Sequence, residues 1–213
     1  MLSANPWYRQ PCDNEPDMTM KRGVLIVVLL AALGLSGQDY FPAGALSVYD
    51  QSDKGRARWY SAQLKALDEP SLLETSKDPA LQSYRFVWLR TFHHPVAVRL
   101  DVMGDGTGRL TVKIASGAGG YESGKLIENT SRPVTREQTE EFLNRVNSLG
   151  FWGLPGFEDH WGFDGSQWII EGVKHGKYHV ADRWTPGKGP VHDLGVMLAF
   201  ALARLKIPKD QLY

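Results

Sequence analysis

The residues best suited to acid–base chemistry lie late in the chain, where Glu171, His179 and Arg183 flank the segment Lys174-His175-Gly176. A carboxylate beside an imidazole can orient it as a general base, and an arginine can hold an anion. We predict two strands joined at this segment. A three-residue loop, which we favour, places Glu171, His179 and Arg183 on one face. A two-residue turn instead separates Glu171 from His179. It also pairs Trp168 with Arg183.

The same charged residues also fit an ordinary hairpin face exposed to water, where ion pairs contribute little to stability. We favour this interpretation because the chain offers no G-x-S-x-G nucleophile motif, and its one cysteine, Cys12, precedes the exported part. The glycine-rich segments 104–108 and 117–120 are not followed by a helix start with Lys-Ser/Thr, so we expect neither a phosphate cradle nor any cofactor. The alternative activity is a hydrolase of the cell envelope that uses Glu171 and His179, with or without a metal ion.

Metal-ligating residue types occur together between residues 158 and 165. Asp159 and Asp164 could supply oxygen ligands to Ca²⁺, and His160 could add a nitrogen ligand for a transition metal. The spacing matches no EF-hand loop, and Asp164-Gly165 is equally typical of a plain turn. We therefore expect no metal ion.

Aromatic residues are the one compositional excess, with seven Trp, eight Tyr and eight Phe. Trp152, Trp161 and Phe163 fall in one loop segment. Aromatic side chains anchor protein interfaces and glycan sites as well as cores. We predict that this loop, with the polar face of the hairpin, binds an envelope protein or a glycan, and core packing is the alternative explanation.

The elements that must position these residues are mostly strands. Alternating apolar residues predict strands over 84–89 and 96–103, and a glycine-rich turn leads to a third over 109–115. A weaker strand covers about 125–131, and the hairpin from Gln167 to Trp184 adds two more. Since every connection between successive strands is short, we predict an antiparallel sheet rather than parallel βαβ units.

Three helices accompany these strands. One spans about Ser52 to Asp68, a second begins at a Thr135–Gln138 capping box and ends before Gly150, and a third runs from Pro190 to Leu205. The prediction is an α+β fold, in which an antiparallel sheet of five to six strands has helices packed on one face. An N-terminal hydrophobic helix precedes it.

The N-terminal part has the order of a secretory signal: Lys21-Arg22, an apolar run to Leu35, then small residues. The run from Val24 to Leu35, at about 1.5 Å per residue, is roughly 18 Å long, short of the ~30 Å hydrocarbon core. We predict cleavage and export to the periplasm or medium, the alternative being an inner-membrane anchor formed by residues 24–37. Cleavage could follow Ala45, or Gly34 or Ser36. Translation could start at Met1, Met18 or Met20.

Composition sets the remaining limits. Lys+Arg and Asp+Glu are 24 each, so the chain lacks the excess positive charge typical of nucleic-acid binding, and we expect no nucleic-acid partner. A membrane is expected as a partner only through an uncleaved N-terminal segment. The predicted organisation is an extension and signal peptide over 1–45, a helical lead-in over 46–80 and an α+β domain over 81–213.

The C-terminal part resembles uncharacterised exported bacterial proteins. It carries the pattern D-G-x-x-W-x-x-E from Asp164 to Glu171, then G-x-Y-H from Gly176 to His179, and R-x-x-P from Arg183 to Pro186. The resemblance implies an exported α+β domain and assigns no activity. We therefore expect a non-catalytic binding or interaction domain of the bacterial cell envelope, more readily than an enzyme.

Overall fold

The computed structural model describes residues 39–160 and 162–213. The regular elements, in chain order, are α1 (Asp50–Ala66), α2 (Leu72–Thr75), β1 (Gln82–Arg90), β2 (Val96–Val102), β3 (Gly108–Ala115), β4 (Leu126–Val134), α3 (Arg136–Ser148), β5 (Ser166–Lys174), β6 (Lys177–Trp184) and α4 (Pro190–Val196). Single 3₁₀ turns lie at Phe151–Gly153 and Lys209–Gln211.

The strands form one six-stranded sheet in the order β4-β3-β2-β1-β5-β6, and every neighbouring pair is antiparallel. This confirms the predicted α+β class with an antiparallel sheet. β1 lies between β2 and β5, because the chain returns from the β4 edge through α3 to the opposite side of the sheet. β6 and β4 are the two edge strands.

One face of the sheet, called here the apolar face, is packed with aromatic rings. Tyr84, Phe86 and Trp88 of β1 project onto it at alternate positions, and α3 and α4 cover them. The α3 helix forms where predicted, because Thr135 and Gln138 complete a capping box. Beyond its end, Gly150 has a φ of 64°, the left-handed conformation that glycine adopts without steric cost.

The opposite face is covered as well, by α1 and the segment before it. Tyr60 and Leu64 of α1 pack with Val87 and Leu89 of β1, and the ring of Tyr40 joins the same cluster. Helices therefore lie on both faces, and the prediction of a single covered face is wrong. The sequence pattern was misleading because the second face also carries charged residues, and charged residues in a strand usually indicate a face exposed to solvent.

The β5–β6 hairpin has the shorter of the two predicted turns. Lys174 is paired directly with Lys177, so only His175 and Gly176 form the turn. Their φ values of 52° and 76° are both left-handed, as a type I′ turn requires. The favoured three-residue loop is thus wrong. The two-residue alternative is confirmed.

The last helix is shorter than predicted. α4 ends at Val196 and continues as a π-helix over Met197–Leu202. Arg204, with a φ of 57°, then ends the helical path before Leu205. Wider turns of this kind are rare in α-helices and leave little trace in apolar spacing.

Within the described part of the chain, no helix combines the length and apolar character needed to cross a bilayer. The predicted signal segment 24–37, the alternative starts and Cys12 lie outside the described residues. Residues 39–45, by contrast, are described. The side chains of Tyr40 and Phe41 are buried, and Asp39 accepts a hydrogen bond from the Ser71 hydroxyl through its carbonyl oxygen.

Candidate functional site

Glu171 lies fully buried on the face covered by α1. Its Oε2 accepts hydrogen bonds from Arg85 Nε at 2.8 Å and Nη2 at 2.6 Å, and its Oε1 accepts one from the Tyr178 hydroxyl at 2.9 Å. Burial raises the pKa of Glu171, and the Arg85 guanidinium opposes that rise. Both carboxylate oxygens of Glu171 accept hydrogen bonds from side chains of the protein. Glu171 therefore stabilises the packing of β5 against β1 and β6, and it is not open to a substrate.

The Arg85–Glu171 pair is part of a larger group, called here the buried charge cluster: Glu69, Arg85, Arg99, Lys113 and Glu171. Glu69 is its second acid and lies 3.2 Å from Arg85, 3.0 Å from Arg99 and 3.3 Å from Lys113. Buried ions of this kind need near-complete pairing to offset the loss of hydration. The cluster links the segment after α1, which carries Glu69, to the strands β1, β2, β3 and β5.

His179 points to the apolar face, away from Glu171, because adjacent strand positions alternate. Its ring lies 5.0 Å from the Phe151 ring and 6.2 Å from that of Trp152. Burial lowers the pKa of His179, and the positive charge of Arg183 lowers it further, so the imidazole is neutral at pH 7. Its Nε2 is buried and has no hydrogen-bond partner among the described residues. The structure does not bring Glu171 and His179 together.

Arg183 holds the loop that precedes β5. Its Nε lies 2.7 Å from Glu158 Oε1, Nη1 donates to the Asp182 carbonyl at 2.7 Å, and Nη2 donates to the Pro155 carbonyl at 3.0 Å. The Asp182 backbone N–H also donates to the Gly156 carbonyl at 2.7 Å. Arg183 therefore positions this loop along the β6 edge, and Glu158 neutralises its charge.

Asp182 is a buried acid with one carboxylate oxygen unsatisfied within the described part of the chain. The Tyr60 hydroxyl donates to its Oδ2 at 2.8 Å, and Arg56 Nη1 lies 3.6 Å from the same atom. Oδ1 has no hydrogen-bond partner among the described residues. Burial raises the pKa of Asp182 to about 6, against the lowering effect of the Tyr60 hydrogen bond.

The predicted metal ligands Asp159, His160 and Asp164 are exposed. Across residues 39–160 and 162–213, no three side chains of ligating type are grouped closely enough to hold a metal ion. Phe163 is 100% exposed, and Trp161 lies outside the described residues. Trp152 is half-buried, and its ring lies 6.1 Å from that of Tyr84 on the apolar face. Among the predicted binding residues that the structure describes, Trp152 is therefore the one that packs on the sheet.

Trp152 and His179 instead line a second feature, called here the hairpin cleft: Asn147, Trp152, Lys174, His175, Lys177, Tyr178 and His179. It has a volume of about 540 Å³ between the end of α3 and the tip of the β5–β6 hairpin. Lys174 and Lys177 are directly opposite each other across the hairpin, and neither has an ion-pair partner among the described residues. Like charges placed opposite each other on a strand pair destabilise it.

Sequence reasoning missed these lysines as site residues. The sequence Lys174-His175-Gly176-Lys177 could have identified them, because two lysines that flank a two-residue turn become direct neighbours across the hairpin. A second cleft of about 570 Å³ lies between residues 154–160 and the start of α4. That cleft is lined by Arg183, which Glu158 neutralises, and by Lys188. The hairpin cleft has two lysines directly opposite each other, so it is the stronger candidate for recognising a charged ligand.

A scan against protein-family models finds no match to this chain, and a search of curated proteins finds none of significant similarity.

Proposed function

We propose that this chain is an exported, non-catalytic binding domain that takes an anionic group of an envelope protein or glycan into the hairpin cleft. The observation that carries the proposal is the Lys174–Lys177 pair. Both ammonium groups lack a carboxylate partner among the described residues, and each raises the electrostatic cost of the other. An acidic ligand between the two lysines would offset the repulsion between their ammonium groups. It would therefore bind more strongly than a neutral ligand of the same shape.

The rest of the cleft supports the same ligand class. Trp152 offers an aromatic face on which a sugar ring or an apolar side chain can pack. His179 adds no charge to the cleft, because its imidazole is neutral at pH 7 and its Nε2 is buried. A cleft with two cations and one aromatic wall fits a ligand that alternates acidic and less polar groups, as acidic glycans and acidic peptides do.

The experiment compares the double variant Lys174→Gln/Lys177→Gln with Lys206→Gln/Lys209→Gln, which removes two exposed lysines elsewhere. Binding to polygalacturonate, poly-glutamate and neutral dextran is measured by titration calorimetry at low and moderate salt. We expect the protein to bind the two acidic polymers and not dextran, and the cleft variant to bind them about tenfold more weakly. Equal loss in both double variants, or unaltered binding by the cleft variant, would refute the proposal.

A stability measurement adds an independent test. Removing the like-charge pair should raise the free energy of unfolding by about 0.2–1 kcal/mol while binding falls. A residue kept only for folding would behave in the opposite way, because its loss lowers stability. Urea unfolding of the cleft variant and the control variant distinguishes the two cases.

The proposed export rests on the N-terminal residue pattern, and the packing of residues 39–45 narrows where a signal could be cut. Cleavage after Ala45 would remove Tyr40, whose ring is buried against α1 and whose hydroxyl donates to the Glu69 carbonyl at 2.9 Å. We therefore place the cut before Asp39, near Gly34 or Ser36. N-terminal sequencing of the secreted protein tests this. A membrane-bound product that retains residues 24–37 would instead support the anchored alternative.

A further inference from the structure

The β4 strand forms an open edge of the sheet. It is nine residues long, and most of its side chains are exposed. No described residue lies beside its outer edge in the strand order, whereas the β6 edge is covered at Asp182 by the hydrogen bond to the Gly156 carbonyl. An exposed edge of this length presents unpaired backbone groups that can pair with another strand.

The hydrogen-bond pattern shows which backbone groups face outward. The Ala115 N–H donates to the Pro95 carbonyl beside β2, so odd-numbered residues of β3 face β2 and even-numbered residues face β4. The β4 residues opposite them, such as Thr130, are also even-numbered. It follows that Asn129 and Ser131 direct their N–H and C=O groups away from the sheet.

We propose that a second copy of this chain pairs with β4 in antiparallel orientation, about a two-fold axis at Thr130. Asn129 of each copy then lies opposite Ser131 of the other, and each such pair exchanges two N–H···O=C hydrogen bonds. The two sheets become one continuous sheet across the interface. An isologous contact of this kind closes after two copies.

The sequence of β4 matches itself in this register. Glu128 of one copy lies opposite Arg132 of the other, and the same ion pair forms twice. Glu128 is exposed, and neither Glu128 nor Arg132 has an ion-pair partner among the described residues. Arg132 donates to the Leu202 carbonyl from Nη2 and to the Pro133 carbonyl from Nη1 at 3.3 Å. A parallel arrangement in register would instead set Glu128 against Glu128, which disfavours it.

The ends of the strand also fit. β4 has a bulge at Ile127, which is 58% exposed, so the regular pairing with the second copy runs from Glu128 to Arg132. Proline has no N–H, and a proline inside a ladder would break it. In this register a Pro133 lies just beyond the paired segment at each of its two ends, so the missing N–H groups interrupt no hydrogen bond between Asn129 and Ser131.

A charge-swap experiment tests the pairing. Sedimentation of the purified protein from about 1 µM to about 1 mM should show a monomer–dimer equilibrium. Glu128→Arg alone and Arg132→Glu alone should each weaken the dimer at least about tenfold, and a mixture of the two variants should restore it as a heterodimer. Glu141→Arg, an exposed charge reversal on α3, should leave the dimer unchanged.

Two further variants keep the test decisive if Arg132→Glu lowers stability. Asn129→Pro removes an outward N–H and should give a monomer. In a Cys12→Ser background, Thr130→Cys should form a disulfide between copies on mild oxidation, because residues on the axis are close neighbours; Glu140→Cys should not. A protein that stays monomeric throughout the concentration range, or a dimer that persists with both Glu128→Arg and Asn129→Pro, would overturn the proposal.

Discussion

Replacing Asp182 with asparagine should change how the stability of the protein depends on pH. The Asp182 carboxyl is fully buried, with one hydrogen bond from Tyr60 and a more distant guanidinium from Arg56. Burial raises its pKa to about 6 from an ordinary value of 3.8. At 1.36 kcal/mol for each pKa unit, that difference corresponds to about 3 kcal/mol of stability.

The sign follows from which state holds the proton. Between pH 3.8 and about 6, the folded protein keeps Asp182 protonated while the unfolded chain has lost that proton. The stabilising contribution is therefore complete below pH 3.8 and is lost as the pH rises through about 6. Of the total, about 2 kcal/mol is lost between pH 4 and pH 7.

The assay is urea unfolding followed by tryptophan fluorescence at intervals from pH 4 to pH 8. Other groups titrate over this range, so the quantity of interest is the difference in unfolding free energy between wild type and Asp182→Asn. Between pH 4 and pH 7 the wild type should lose about 2 kcal/mol of unfolding free energy relative to Asp182→Asn. Asp159→Asn, at an exposed loop position, serves as the control and should follow the wild-type curve. Parallel curves for wild type and Asp182→Asn would refute the reasoning.

Four other substitutions test the fold. Glu171→Gln should lower the free energy of unfolding by about 3 kcal/mol in urea, because Arg85 loses its closest counterion; a change in ligand binding without loss of stability would contradict this. Gly195→Ala puts a Cβ 2.7 Å from a buried tryptophan ring and should cost about 1–3 kcal/mol, whereas Gly55→Ala, in open space on α1, should stabilise by about 0.5–1 kcal/mol. Thr135→Ala removes the α3 cap and should cost about 1 kcal/mol, seen as a lower Tm.

Local signals made much of the fold predictable from the sequence. The alternation in β1, β2 and β3 identifies strands, and the Thr135 capping box with Gly150 bounds α3 to within a residue or two. These signals act over a few residues, so tertiary contacts do not change them. The π-helical turns after Val196 are set by packing instead, and the sequence gives no comparable mark for them.

The second covered face could not be read from the sequence, since its evidence is distributed over the chain. Arg85, Glu171 and Glu69 each look like a surface residue in a linear reading. Their burial becomes reasonable only when the strand order sets β5 beside β1 and brings the segment after α1 over both. Long-range pairing of this kind follows from topology, which local periodicity does not specify.

The alternative prediction, a hydrolase that uses Glu171 and His179, depended on one residue of turn length. Because side chains alternate along a strand, shifting the β5–β6 register by one residue moves every side chain of one strand to the other face. The longer loop would have set Glu171 beside His179 as a catalytic pair. The observed turn sends Glu171 into the buried charge cluster and leaves His179 beside Trp152 in the hairpin cleft. The same turn makes Lys174 and Lys177 direct neighbours, so the change that removes the predicted acid–base pair also creates the cationic cleft.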